Sequence, residues 1–237
     1  MIRHILTVCF ACTTALAYSQ STITPLPPTD SADYFLQKGL TEKTNGRRLE
    51  SLKNFEKAAK YKTDSKVITA ELASAYLDLR RYFQAKDMFK KLVDLGDQSA
   101  ANYKQLMNLS FQLKQNEDVI TYATKLKELD PSEKVNFFIG KVQYDQDNYG
   151  DAIKYLNEAA KDDPKNAEVP YMIAHSYADM MNYKLAVPYF KKAIELDTTK
   201  NYWIYELGLI CYAMNNDQDA LKYILQAGER GYNKDNE

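Results

Sequence analysis

The sequence predicts an all-α chain in which helix pairs stack side by side into a curved array. Three observations predict it. Residue types recur every 34 positions, apolar residues within each recurrence fall three or four apart, and only 8 Gly and 7 Pro occur among 237 residues. Apolar residues at that spacing share one helix face. So few breakers, beside abundant Ala, Leu, Lys and Glu, suit helices joined by short turns, and few strands are expected. A chain with 45% apolar and 27% charged residues has material for one or two globular domains; the recurrence decides for one elongated array.

The recurrence is clearest from Glu133 to Lys200. Ile139-Gly140 is followed by Tyr149, Ala152, Leu156, Ala159 and Pro164. One period later, Ile173-Ala174 is followed by Tyr183, Ala186, Phe190 and Ala193, with Thr198 in place of the proline. Counting outward in the same register gives six units: 32–65, 66–99, 100–132, 133–166, 167–200 and 201–234, the third one residue short. This pattern resembles the tetratricopeptide repeat, a helix-turn-helix module. The resemblance implies a right-handed α-solenoid.

Each position, counted from the start of its unit, has a physical reading. Position 8 (Gly39, Ala73, Met107, Gly140, Ala174, Gly208) and position 20 (Ser51, Ala85, Val119, Ala152, Ala186, Ala220) lie where the two helices of a unit approach most closely. Bulky residues at position 24 (Phe55, Phe89, Leu156, Phe190, Ile224) are expected to fill the space between units, with Ala123 the exception. Asp130-Pro131 and Asp163-Pro164 stop second helices, because proline disfavours helical geometry in the residue before it. Lys38, Glu42 and Ser51 make the first unit polar, as befits an outer cap. Pro188 is expected to bend its helix or to lie in the first turn. Leu221, Ile224 and Leu225 of the last unit are expected to be partly uncovered, a surface for a partner or for end-to-end self-association.

The N-terminus carries a compartment signal. Met1-Ile2-Arg3-His4 is short and basic, residues 5–17 are apolar to small, and cleavage after Ala17 or Ser19 is possible. Residues 1–19 therefore read as a secretory signal peptide, and the expected location is exported, in the periplasm or cell envelope. A membrane anchor needs about 20 apolar residues, more than this run supplies. Lipidation wants a leucine-like residue three before the cysteine and a small one directly before it; Cys9 follows Val8, and Cys12 has Cys9 three residues upstream, so the match is poor. Loss of the leader leaves Cys211 as the one cysteine, so no internal disulfide can form, and His175 as the one histidine. Residues 20–31, with Thr24-Pro25-Leu26-Pro27-Pro28, read as a linker, and 235–237 as a tail. The formal charge of -1 would become -2 without Arg3. So small a net charge gives no bulk attraction to nucleic acid or anionic membrane.

The resemblance implies a concave groove lined by first helices, with ligand contacts at positions 2, 5, 9, 12 and 13. In the third unit these include Lys104, Asn108, Phe111 and Gln112; in the fourth, Lys134, Phe137, Lys141, Tyr144 and Asp145. In the fifth they include Glu168, Tyr171, His175 and Asp179; in the sixth, Tyr202, Tyr205, Leu209 and Tyr212. Phe137/Tyr144 and Tyr205/Tyr212 are each seven apart, so each pair shares a face. Such a groove suits a segment of another protein, gripped by aromatic contact area with hydrogen-bonding tips. The alternative is that the tyrosines pack against their own neighbours. The carboxylate clamp of chaperone-binding relatives is lacking. Lys104 and Asn108 match its first pair, but Phe138, Glu168 and Met172 occupy its remaining positions.

Catalysis has no residues to rest on. His175 alone cannot make a zinc site or serve a nucleophile that has no motif around it, and no phosphate-binding glycine loop is present. Cys211 sits at an apolar position, where a buried, inert thiol is expected. No cofactor and no metal are expected. The sequence thus points to a non-catalytic protein-binding scaffold. Two alternatives are an assembly subunit docking through its C-terminal end and the repeat portion of a longer protein with a further C-terminal domain.

Overall fold

The computed structural model describes residues 31–233. The expected signal peptide, the linker before Ser31 and the tail lie outside the described residues. Within them are twelve α-helices and no strand. The helices form six pairs: α1 (Ala32–Thr44) and α2 (Arg48–Tyr61), α3 (Lys66–Asp78) and α4 (Tyr82–Asp94), α5 (Ala100–Gln112) and α6 (Asn116–Leu129), α7 (Asn136–Asp145) and α8 (Tyr149–Asp162), α9 (Glu168–Asp179) and α10 (Tyr183–Leu196), α11 (Asn201–Ala213) and α12 (Asp217–Glu229). Each helix packs mainly on the one before and the one after it, and α7 also touches α9. Nearest-neighbour stacking of this kind is what a solenoid requires.

Local chemistry sets the helix ends. Ser31, Ser65 and Ser99, spaced 34 apart, are N-caps whose hydroxyls accept from the amides of Tyr34, Ile68 and Asn102. Such a cap satisfies an amide that the first turn leaves without a partner. Asp130, Asp163 and Asp197 follow the last residues of α6, α8 and α10. Their carboxylates accept from the backbone amides of Ser132, Lys165 and Thr199. The Asp-Pro pairs therefore end helices as the sequence indicates.

Every turn inside a pair contains one residue in the left-handed region: Gly46, Arg80, Lys114, Asp147, Met181 and Asn215, with φ between +55° and +74°. The geometry is common to all six, although the side chains are not. Left-handed geometry costs an ordinary side chain roughly 1–2 kcal/mol. Met181, at φ +59° and 77% exposed, gains no packing in return. Met181→Gly is therefore expected to raise the unfolding free energy by about 1 kcal/mol, measured by urea titration.

Close approach within a pair is enforced at position 8. A Cβ added to Gly39 would stand 2.5 Å from Phe55 Cδ1, one on Gly140 would stand 2.8 Å from Leu156 Cγ, and one on Gly208 2.8 Å from Ile224 Cγ1. The bulky residue at position 24 thus also sits on the glycine of its own unit, a contact beyond the expected filling of the space between units. It reaches the next unit as well: Phe55 shares a cluster with Ile68 and Leu72. The exception at Ala123 also resolves. Position 8 of that unit is Met107, and both are buried in one cluster, so large and small have exchanged helices.

Pro188 is the sixth residue of α10. It lies beyond the first turn, contrary to one of the two expectations, and leaves the carbonyl of Lys184 without its helical donor. Lys86 in α4 is buried, and its ammonium donates to Gln115 and to the carboxylate of Asp118 at the start of α6. This ties the second pair to the third. Cys211 is buried, and burial pushes its thiol up. Lys38 is exposed and Gly39 is the one buried residue of α1, as an outer helix requires.

Candidate binding groove

Side chains at positions 5, 9 and 12 of α5, α7, α9 and α11 remain accessible, because positions 4, 7 and 8 of the same helices turn into the core. Lys104 is exposed and donates to both carboxylate oxygens of Glu133, at 2.8 and 2.9 Å. Asn108 and Phe111 are half-buried. Phe111 meets Phe138 edge-on at 5.0 Å, and Phe138 meets Phe137 at 5.9 Å. Lys141 lies 3.7 Å from Asp145, one turn along its own helix. Phe111, Gln112, Lys114, Asn116, Lys141 and Asp145 line an open cleft of about 560 Å³ between the third and fourth pairs. Residues from two repeats are thereby brought to one recess with aromatic, cationic and anionic walls.

Farther along, hydrogen bonds step from each first helix to the next. Tyr144 donates to Asp179 at 3.0 Å. Tyr171 donates to Glu206 at 3.4 Å, and His175 Nε2 lies 3.3 Å from the same carboxylate. Burial, then the charge of Asp179, pushes the Tyr144 phenol up; burial, then Glu206, does the same at Tyr171. Both stay protonated in the fold where the unfolded chain would ionise near pH 10. Stability from them is thus complete below about pH 10 and falls as pH rises further. In urea titrations at pH 8 to 12, Tyr144→Phe is expected to flatten that fall.

The aromatic residues divide into two kinds. Tyr171 stacks on Trp203 at 4.6 Å and 20°, and touches His175 at 4.5 Å and Phe190 at 6.0 Å. Its ring forms the floor of the groove more than a free contact. Tyr202 packs edge-on against Tyr171, and Tyr205 lies 4.9 Å from Tyr232. Tyr212, by contrast, is 67% exposed and makes no ring contact or side-chain hydrogen bond among the described residues. Leu209, Leu221 and Leu225 are also exposed, whereas Ile224 is half-buried against Gly208.

Sequence reasoning missed Glu206 and Trp203. Glu206 is at position 6, and the signal that could have found it was a lone acid between Tyr205 and the core residue Leu207. Among the described residues no group of three or more His, Cys, Asp or Glu could hold a metal, and no helix is long and apolar enough to cross a membrane.

Residues 167–200, the α9–α10 pair with its flanking turns, match the family model for the tetratricopeptide repeat. Superkiller complex protein 3 of Mus musculus is 23% identical over 199 residues, 80% of this chain, and the Homo sapiens protein is 23% identical over 202. The chain spans 13% of the length of these curated relatives. Among solved structures, the C-terminal part of a TPR repeat-containing protein from Cytophaga hutchinsonii superimposes with a TM-score of 0.67 at 18% identity, over 82% of this chain and 78% of that one. YrrB, described as a TPR protein with an unusual peptide-binding site, gives 0.64 at 18% identity, over 75% and 92%. MamA gives 0.61 at 21% identity, over 71% and 93%. The α9–α10 pair carries the tetratricopeptide signature in its sequence, and the array of twelve helices has the tetratricopeptide fold.

Proposed function

We propose that the chain is a non-catalytic scaffold holding a segment of another protein in the groove lined by α5, α7, α9 and α11. The observation that carries this reading is the aromatic row with charged neighbours on those helices, from Phe111 and Lys141 at the open cleft to the exposed Tyr212. Accessible aromatic rings on rigid helices supply contact area at little entropic cost. The likeness to YrrB, described by its peptide-binding site, supports the same use of the fold. The partner segment is met outside the cytoplasm if residues 1–19 direct export, in the periplasm or cell envelope. Mass spectrometry of the mature chain is then expected to find Tyr18 or Gln20 at its N-terminus, whereas an intact Met1 after fractionation with cytoplasmic proteins would refute export.

The groove itself is tested with Lys141→Glu and Tyr212→Ala in one chain. Both side chains are accessible, so helicity should be unchanged, and recovery of the native partner is expected to fall at least about tenfold. Equal recovery would count against the groove. A second reading rests on the exposed Leu221 and Leu225 of α12, an apolar face for an assembly partner or a second copy. If that face is the contact, Leu221→Asp with Leu225→Asp abolishes association and the groove changes do not.

A further inference from the structure

The turns inside the first three helix pairs form an edge unlike the rest of the array. Stretches 45–49, 79–83 and 113–117 hold five cations, Arg47, Arg48, Arg80, Arg81 and Lys114, against one carboxylate, Glu117. The corresponding stretches 146–150, 180–184 and 214–218 hold one cation, Lys184, against Asp147 and Asp217. All five cations are exposed. Arg47 lies 3.3 Å from Glu42, while the other four make no ion pair among the described residues. Nearest-neighbour stacking puts these turns side by side: Gly46 and Arg48 share a cavity with Ala75 and Asp78 at the end of α3, and Lys86 of α4 reaches Gln115 in the third turn.

Two apolar side chains stand in the same edge. Leu49 and Phe83 occupy position 18 of the first and second units, 55% and 63% exposed, with no ring contact and no place in a core cluster. Later units place Glu117, Gly150, Lys184 and Gln218 there.

We propose that this edge is a peripheral docking surface for an anionic lipid bilayer. The four unpaired cations face the negative headgroups, and Leu49 and Phe83 enter the boundary between headgroups and acyl chains. Charge complementarity alone would suit any polyanion; a pair of equivalent, unpacked apolar side chains among the arginines suits a lipid interface. The near-zero net charge of the chain is no obstacle, because attraction at a surface is local, decaying within a Debye length.

The test is partition of the full chain onto vesicles of phosphatidylcholine with and without 30% phosphatidylglycerol, so that any contribution from residues 1–30 is common to wild type and variants. Preference for the anionic vesicles is expected, weakened by salt. Arg80→Gln with Arg81→Gln should weaken partition roughly thirtyfold, at about fivefold per cation. Phe83→Trp should give an indole whose emission shifts to the blue on anionic vesicles and is quenched by brominated acyl chains, over a background from the buried Trp203. Equal binding to neutral vesicles, an unchanged double variant or an indole left in water would overturn the proposal. So would tighter capture by duplex DNA, unaffected by Phe83→Ser, which would assign the edge to a soluble polyanion.

Discussion

Trp203→Ala is expected to cost about 3–5 kcal/mol, the range for removing a large buried ring. Trp203 is 1% exposed and sits at the joint of the fifth and sixth pairs, stacked under Tyr171. Among the described residues no further helix pair follows α12, and in a solenoid each pair is held mainly by its neighbours. The loss should therefore be local. Hydrogen exchange is expected to show protection falling across α11 and α12 while α5 and α6 are unchanged. Trp203→Phe should be much milder, because the indole N–H has no hydrogen-bond partner among the described residues, and deleting an unpaired buried donor offsets part of the lost packing. Equal damage from both variants would contradict this, because phenylalanine keeps most of the buried ring that alanine removes.

Two glycines in the fourth pair should respond to alanine with opposite signs. Both lie in helices, so each substitution brings a similar gain in helix propensity, up to about 1 kcal/mol. At Gly140 the new Cβ would meet Leu156 Cγ at 2.8 Å and, at 3.2 Å, its backbone nitrogen, which cannot move without moving α8. Overpacking of this kind costs roughly 1–3 kcal/mol, so a net loss of about 1 kcal/mol or more is expected. At Gly150 nothing lies within 4 Å. Gly150→Ala is expected to stabilise by about 0.5 kcal/mol or more, and urea titration of the two variants measures the difference. If both stabilise, the two helices of a pair are not in the close contact described.

These responses show which features were legible. Small residues at position 8 and the Asp-Pro stops are chemical consequences of a recurring helix pair, so spacing alone exposed them. The left-handed turn residue was hidden, because connection geometry imposes it on Arg80, Lys114 and Met181 as readily as on Gly46. The groove was legible as a set of positions but not as a set of states. Whether a tyrosine is a free contact, like Tyr212, or part of the floor, like Tyr171, depends on side chains about one repeat away, here Trp203 and Glu206. The basic edge escaped for a related reason. Its five cations are scattered over some seventy residues and come together only when the pairs stack.

The central claim is that a partner lies against the first helices. Site-specific photocrosslinking in the source cell tests it most directly, with benzoylphenylalanine placed at Lys141, at Tyr212 and, on the opposite side of the fourth pair, at Lys154 of α8. One discrete adduct is expected from Lys141 and from Tyr212, and none from Lys154. Adducts from Lys154 alone, or none from either groove position, would contradict it.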